Sequence, residues 1–234
     1  MTVWAIADLH LSFARDDPRE RFAGRWRDHA ATIAREWRSV VRPEDVVLLP
    51  GDVSMARNHR EVQPDLAWLD RLPGVKVISP GNHDGWWNGA AKVRPMLRKT
   101  IRAVEGDALD LGGVIICGAR GAAVPDEEDP AGKTAIGREA ASLSRALDAA
   151  VALKGQRDSP ILAMWHFPPF GSRGNPGPAV AMLEGSGALV CVYGHLHTEA
   201  QWASAVQGEH GGVTYRCVAA DAIGFRPLRI LRLP

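Results

Sequence analysis

Residues 75–84 read VKVISPGNHD. A short, largely apolar, β-branched run from Val75 to Ser79 predicts a strand, Pro80 and Gly81 end it, and three polar side chains follow at once. The same construction recurs along the chain. Val3 to Ala7 runs into Asp8-Leu9-His10, Val46 to Leu49 into Gly51-Asp52, Ile161 to Trp165 into His166, and Ala188 to Tyr193 into Gly194-His195-Leu196-His197. Val114 to Gly118 reads as one more strand. Between them helical periodicity appears at Trp26 to Val41, Gln63 to Arg71, Ala90 to Leu97 and Thr134 to Leu153. Strands alternating with helices predict an α/β fold, in which ligands bind outside the carboxyl ends of the strands. After residue 200 the helical pattern gives way to strands, Val213 to Val218 and Leu228 to Leu233 being the clearest, so late hairpins are expected to complete the sheet.

The bulk properties narrow the function classes. A chain of 234 residues with 46% hydrophobic content suits one large domain spanning 1–234, with core enough to fold without a disulfide or metal. A formal charge of +1 supplies no field for tracking extended nucleic acid or a membrane surface. Cys117, Cys191 and Cys217 sit in apolar runs, odd in number and widely spaced, and read as buried small hydrophobes. The run Val3 to Ala7 is broken by Asp8, short of a signal-peptide core or a membrane span, so a soluble cytoplasmic protein is expected.

Five of the eight histidines, His10, His83, His166, His195 and His197, fall at predicted strand ends. Two residues separated by one in an extended segment point the same way, so Asp8 with His10, and His195 with His197, can each present two ligands to one spot. Glycines 51, 81 and 194 stand where strands turn into loops, letting the backbone approach an ion or anion without a Cβ in the way. A D-x-H pair or a lone Gly-Asp occurs often by chance. Gly-Asn-His-Asp after an apolar run, and Gly-His-x-His, are far more restrictive, and all five elements in order are hard to read as core histidines and solvated turns.

That ordered series, D-x-H, G-D, G-N-H-D, H and G-H-x-H, resembles the calcineurin-like metallophosphoesterases, and the resemblance runs from about Asp8 to His197. It implies a four-layer α-β-β-α sandwich of two mixed sheets with the metal site at the carboxyl ends of strands. It also implies two metal ions: one on Asp8, His10 and His197, the other on Asn82, His166 and His195, with Asp52 bridging them. A carboxylate has two oxygens and can span two cations about 3.5–4 Å apart. Nitrogen and oxygen donors without thiolate favour transition metals, Mn first with Fe or Zn as alternatives, over Ca or Mg. The implied chemistry is in-line attack on phosphorus by a metal-bridging hydroxide, with His83 assisting the leaving group and Asp84 orienting His83.

Other residues carry weaker expectations. Trp86 and Trp87 can stack on an aromatic leaving group or serve as packing, and Arg120 can clamp a phosphate or be surface charge. The loops 12–24 and 120–132 have the length of lids, the first reading as a salt-bridged loop. His29, His59 and His210 lie outside every motif. Gly132-Lys133-Thr134 imitates the end of a P-loop, but Glu127 stands where its first glycine belongs and no strand leads into it. The residues after Asp52 lack the Asp-Arg-Gly of the family's protein phosphatases, and His83 stands where the lipid A pathway hydrolases usually carry Arg. A phosphohydrolase acting on a small mono- or diester is therefore expected. The alternatives are a nuclease or nucleotide phosphodiesterase and, from another class, a noncatalytic metal-binding scaffold.

Overall fold

Apolar runs without alternation need cover on both faces. In the computed structural model, which describes residues 1–14, 24–125 and 129–233, two facing sheets and outer helices supply it. The first half of the chain forms β1 (Thr2–Ala5), α1 (His29–Val40), β2 (Val46–Pro50), α2 (Gln63–Asp70), β3 (Val75–Ser79), α3 (Ala90–Val93), β4 (Ile101–Ala103), β5 (Asp107–Asp110) and β6 (Ile115–Ala119). The second forms α4 (Pro130–Lys154), β7 (Ile161–Trp165), α5 (Pro178–Ser186), β8 (Val190–Tyr193), α6 (Glu199–Ser204), β9 (Gly208–His210), β10 (Val213–Cys217) and β11 (Leu228–Arg232). One sheet has the order β11-β1-β2-β3-β4 and the other β5-β6-β7-β8-β10-β9. Both are mixed: β11, β5 and β9 pair antiparallel at their edges, and the other neighbours run parallel.

Side chains alternate between the faces of each strand, and this builds the layers. Val46 and Leu48 of β2 join Val77, Ile116, Leu162 and Val192 in the core between the sheets. Val47 and Leu49 face the other way, against Ile33 and Trp37 of α1 and Leu66 and Leu69 of α2. On the far side Ile115, Cys117 and Ala163 meet Leu143 and Leu147 of α4 and Leu183 of α5. The expected α-β-β-α sandwich is present. All three cysteines are buried in the outer core of the second sheet, and burial pushes the Cys117 thiol up to about 12. No helix among the described residues is long and apolar enough to cross a membrane.

Several boundaries differ from expectation for local reasons. α1 begins at His29 because Gly24–Trp26 is a 3-10 turn and Asp28 adopts a left-handed φ of 54°. The helix expected over Ala90 to Leu97 ends at Val93 and tightens into a 3-10 turn holding Pro95. α4 starts at Pro130, capped by the Asp129 carboxylate on the Gly132 amide, so the loop expected over 120–132 is shorter. Its residues 126–128, like 15–23 of the other expected lid, lie outside the described residues. Helix α6 crosses residue 200, closed by a capping box of Thr198 and Gln201. The late hairpin is β9–β10, whereas β11 returns to the first sheet beside β1.

Lys76 on β3 is fully buried and donates to the carbonyls of Leu72 at 2.6 Å and Gly74 at 2.9 Å. Burial lowers its pKa from 10.5 to about 8. Between these values the unfolded chain holds a proton that the folded chain has released, so stability rises with pH through this window. Urea unfolding should show the stability of wild type relative to Lys76→Met increasing between pH 8 and 10.5. A difference that stays flat there would mean the ammonium is not penalised.

Candidate metal centre

Five strand ends, those of β1, β2 and β3 in one sheet and β7 and β8 in the other, open onto one edge. The loops that leave them are knit together: Asp8 N donates to Gly51 O, His10 N to Asp52 O, and Gly194 N to His166 O. Asp8, His10, Asp52 and His195 adopt φ of 58°, 43°, 52° and 72°. Left-handed backbone is uncommon for such residues and clusters at functional sites. The Asp8/His10 and His195/His197 pairs thus converge through left-handed turns and not through the extended backbone expected of them. The glycines also act differently from expectation. A Cβ at Gly81 would overlap Asp52 Oδ1, and one at Gly194 would overlap Asp8 Oδ2, so they make room for ligand-type carboxylates and not for an ion directly.

One donor group is Asp8, His10 and His197. The Nε2 atoms of His10 and His197 are 3.3 Å apart, and Asp8 Oδ1 is 3.5 Å from His197 Nε2. The opposite nitrogens are engaged: His197 Nδ1 lies 3.2 Å from both oxygens of Asp221, and His10 Nδ1 3.2 Å from Met55 Sδ. Asp221 can only accept, so His197 Nδ1 donates and its Nε2 is the atom left to face His10. Two imidazole nitrogens so close need a proton or a cation between them. Burial opposes charge on His197, but Asp221 and Asp8 outweigh it and push it up to about 10, while burial pushes His10 down.

The second group gathers Asp52, Asn82, His166 and His195. His166 Nδ1 donates to Pro50 O at 2.9 Å, which turns Nε2 towards Asn82 Oδ1 at 2.9 Å and Asp52 Oδ2 at 3.4 Å. His195 Nδ1 meets the same Asn82 Oδ1 at 2.9 Å. Burial opposes charge on His166, but Asp52 and Asp8 raise it to about 9. Burial, and then His166, lower His195 to about 4. Asp8 stands close to this group as well, with Oδ1 4.0 Å from His166 Nδ1.

Between the two groups sits Asp52 Oδ2, 3.4 Å from His166 Nε2 and 3.9 Å from His10 Nε2, buried and without a hydrogen-bond partner. An orphaned buried carboxylate oxygen is costly unless charge approaches it. Here the approaching groups are imidazole nitrogens, which hold protons or cations by the same lone pairs. The donor set of imidazoles, carboxylates and one amide oxygen, without thiolate, fits transition-metal ions.

The remaining expected residues separate into those at the site and those behind it. His83 is exposed at the mouth, its ring centroid 5.4 Å from that of His10, and its backbone N–H donates to Asp52 Oδ1 at 2.7 Å. Asp84, expected to orient His83, is buried and accepts instead from Ser54 N, Gly81 N and Trp86 Nε1 at 2.9–3.0 Å. Its carboxylate ties the Asp52 and Asn82 loops together; burial, then Asp52, raise it to about 6. Trp86 is 1% exposed and belongs to the core, which removes it as a stacking surface. Trp87 is half-buried, packing against the same core with its indole on Glu105, and Arg120 is exposed and paired with Glu139 at 3.0 Å.

Asp221 and Met55, which hold the rings of His197 and His10, lie outside every motif. So does His29, whose ring nitrogens reach the carbonyls of Trp26 at 3.1 Å and Leu9 at 3.0 Å and brace the loop carrying Asp8 and His10. The one sequence signal for Asp221 is a lone acid after an apolar strand, too common to single out. Carboxylates that orient a metal-ligating imidazole typically govern affinity by 10–100-fold. Asp221→Asn should weaken metal binding on about that scale, read by competition with a chromogenic chelator; unchanged affinity would make Asp221 an ordinary buried acid.

Two facing mixed sheets with nitrogen and oxygen donors clustered at one edge define an α-β-β-α protein of metal-competent type. The sequence profile of the calcineurin-like phosphoesterases matches residues 1–199, and the chain belongs to that family. It is 35% identical to the gene 66 protein of Mycobacterium phage L5 and 37% identical to that of Mycobacterium phage D29, over 82 residues in each case. Those matches take in 35% of this chain, and 39% and 40% of the phage proteins, so the chain spans about two fifths of the length of these relatives. A phosphopantetheinyl hydrolase of Mycobacterium tuberculosis shares the fold, with a TM-score of 0.55 and 17% identity over 100% of this chain and 96% of the other. A protein of unknown function from Aquifex aeolicus does so with a TM-score of 0.52 and 12% identity, over 97% and 95%.

Proposed function

We propose that residues 1–234 act as one domain, a hydrolase cleaving a phosphate mono- or diester of a small molecule with two metal ions, most simply Mn. The observation that carries this reading is Asp52 Oδ2, buried without a hydrogen bond among the described residues and within ion-pair distance of an imidazole from each of two groups of ligand-type atoms. Asp8, His10 and His197 would hold one ion, and Asn82, His166 and His195 the other, with Asp52 between. When bound, such a pair supplies an acidified water as nucleophile and positive charge for the phosphoryl oxygens.

The protein's own groups do the rest. Pro50 O and Asp221 fix which nitrogens of His166 and His197 face inward. Asp52 Oδ1 holds the His83 backbone, placing an exposed imidazole at the mouth where a leaving oxygen needs a proton. The test is hydrolysis of mono- and bis-p-nitrophenyl phosphate with Mn²⁺, Fe²⁺ or Zn²⁺, beside metal stoichiometry. Because one protein of this fold is a phosphopantetheinyl hydrolase, a phosphopantetheinyl ester belongs in the panel. About two ions per chain and turnover of at least one ester are expected; no hydrolysis of any ester with metals bound would sink the reading.

A further inference from the structure

A cavity of about 270 Å³ opens beside the second donor group, with His195 in its wall. Phe167 joins the two: its ring centroid is 4.2 Å from that of His195 and 5.3 Å from that of His166. Beyond Phe167 the cavity is walled by Val124, Phe170, Leu196 and Val206. Its polar lining is neutral, from Ser172, Ser204 and Gln201, and Gln201 Oε1 is already taken by the amides of His197 and Thr198 at 3.0 and 3.1 Å. Apart from His195, no Asp, Glu, Lys, Arg or His lines it among the described residues.

From this we infer that the cavity receives the alcohol portion of the substrate, and that this portion is an uncharged, largely apolar arm. The inference rests on the proposed phosphoesterase reading and specifies its substrate class. A phosphoryl group held by the donor groups has Phe167 on one side, so an ester arm leaving that way runs along the ring into the apolar walls. A second phosphate or a carboxylate on that arm would enter without a cationic partner, which is strongly disfavoured. A neutral arm gains by burial, about fourfold in affinity for each methylene removed from water.

Titration calorimetry on the metal-loaded protein with methylphosphonate, n-butylphosphonate and 3-phosphonopropionate tests this, followed by kcat/KM for methyl and n-butyl phosphate. The butyl ligand should bind at least about tenfold tighter than the methyl one, and the carboxylate-bearing ligand no tighter than methyl. Ala205→Phe and Ala123→Phe, each at a residue lining the cavity, should each bring the butyl-to-methyl ratio close to one, with thermal melts reporting that the fold is kept. Equal binding of butyl and methyl ligands by wild type, or preference for the carboxylate, overturns the assignment of the cavity while hydrolysis of methyl phosphate leaves the phosphoesterase reading standing. Failure to hydrolyse these two esters together with mono- and bis-p-nitrophenyl phosphate and the phosphopantetheinyl ester, with metals bound, overturns both.

Discussion

Asp52→Asn is expected to remove metal binding and hydrolysis together. The substitution is nearly isosteric, and its carbonyl oxygen can keep the 2.7 Å bond from His83 N that Asp52 Oδ1 accepts. The amide nitrogen then falls where Oδ2 stands, between His166 Nε2 and His10 Nε2, and turns two N–H donors towards the place where cations would gather. A donor cannot ligate, and the charge proposed to bridge the two donor groups is gone, so the loss in turnover should be on the order of a thousandfold or more. Metal analysis after gel filtration should fall from about two ions per chain to at most one. Retention of both ions with near-normal turnover would show that Asp52 is not the bridge. Because burial opposes its charge while His166 and His10 hold the carboxylate far below its ordinary range, Asp52 is ionised at every pH where the assay can be run. Acidification within that range therefore does not imitate the variant.

The contrast between Asp52 and Asp221 shows what could be read from the chain. Asp52, His10, His166 and His197 stand within four residues of the ends of apolar runs, so strand periodicity puts them at strand ends, and the order of motifs completes the set. Asp221 lies 24 residues beyond His197 and reaches it only because β10 returns parallel to β8 and brings the following turn back to the metal edge. No local pattern reports such a return. The same distinction explains the elements. β2 and β7 are buried on both faces and announce themselves as unbroken apolar runs, and β3 does so in spite of its buried Lys76, whereas β4, β5 and β9 are three or four residues long at or near sheet edges and carry too little pattern to be seen. Trp86 illustrates a limit of motif adjacency: position beside Asn82 and His83 leaves pocket and packing both open, and the structure decides for packing, sending the indole inward to Asp84.

His83→Asn should keep both metals and lose turnover by at least about a hundredfold on an ester with a poor leaving group, the usual scale of a general acid. The structural reason for expecting metals to stay is that His83 serves the site's scaffold through its backbone N–H, which asparagine retains, while its ring is exposed. The reason for expecting a kinetic loss is position, with the ring next to His10 at the mouth and free of the buried hydrogen bonds that occupy Asp84. A proton donor matters in proportion to the basicity of the oxygen it rescues. The variant should therefore lose much more on n-butyl phosphate, whose alkoxide must be protonated to leave, than on p-nitrophenyl phosphate, whose phenolate leaves unaided. An equal loss on both esters would point to electrostatic stabilisation or binding, and unchanged activity on both would remove His83 from the reaction altogether. Only the unequal loss, with metal content at the wild-type level, identifies a proton delivered to the leaving oxygen.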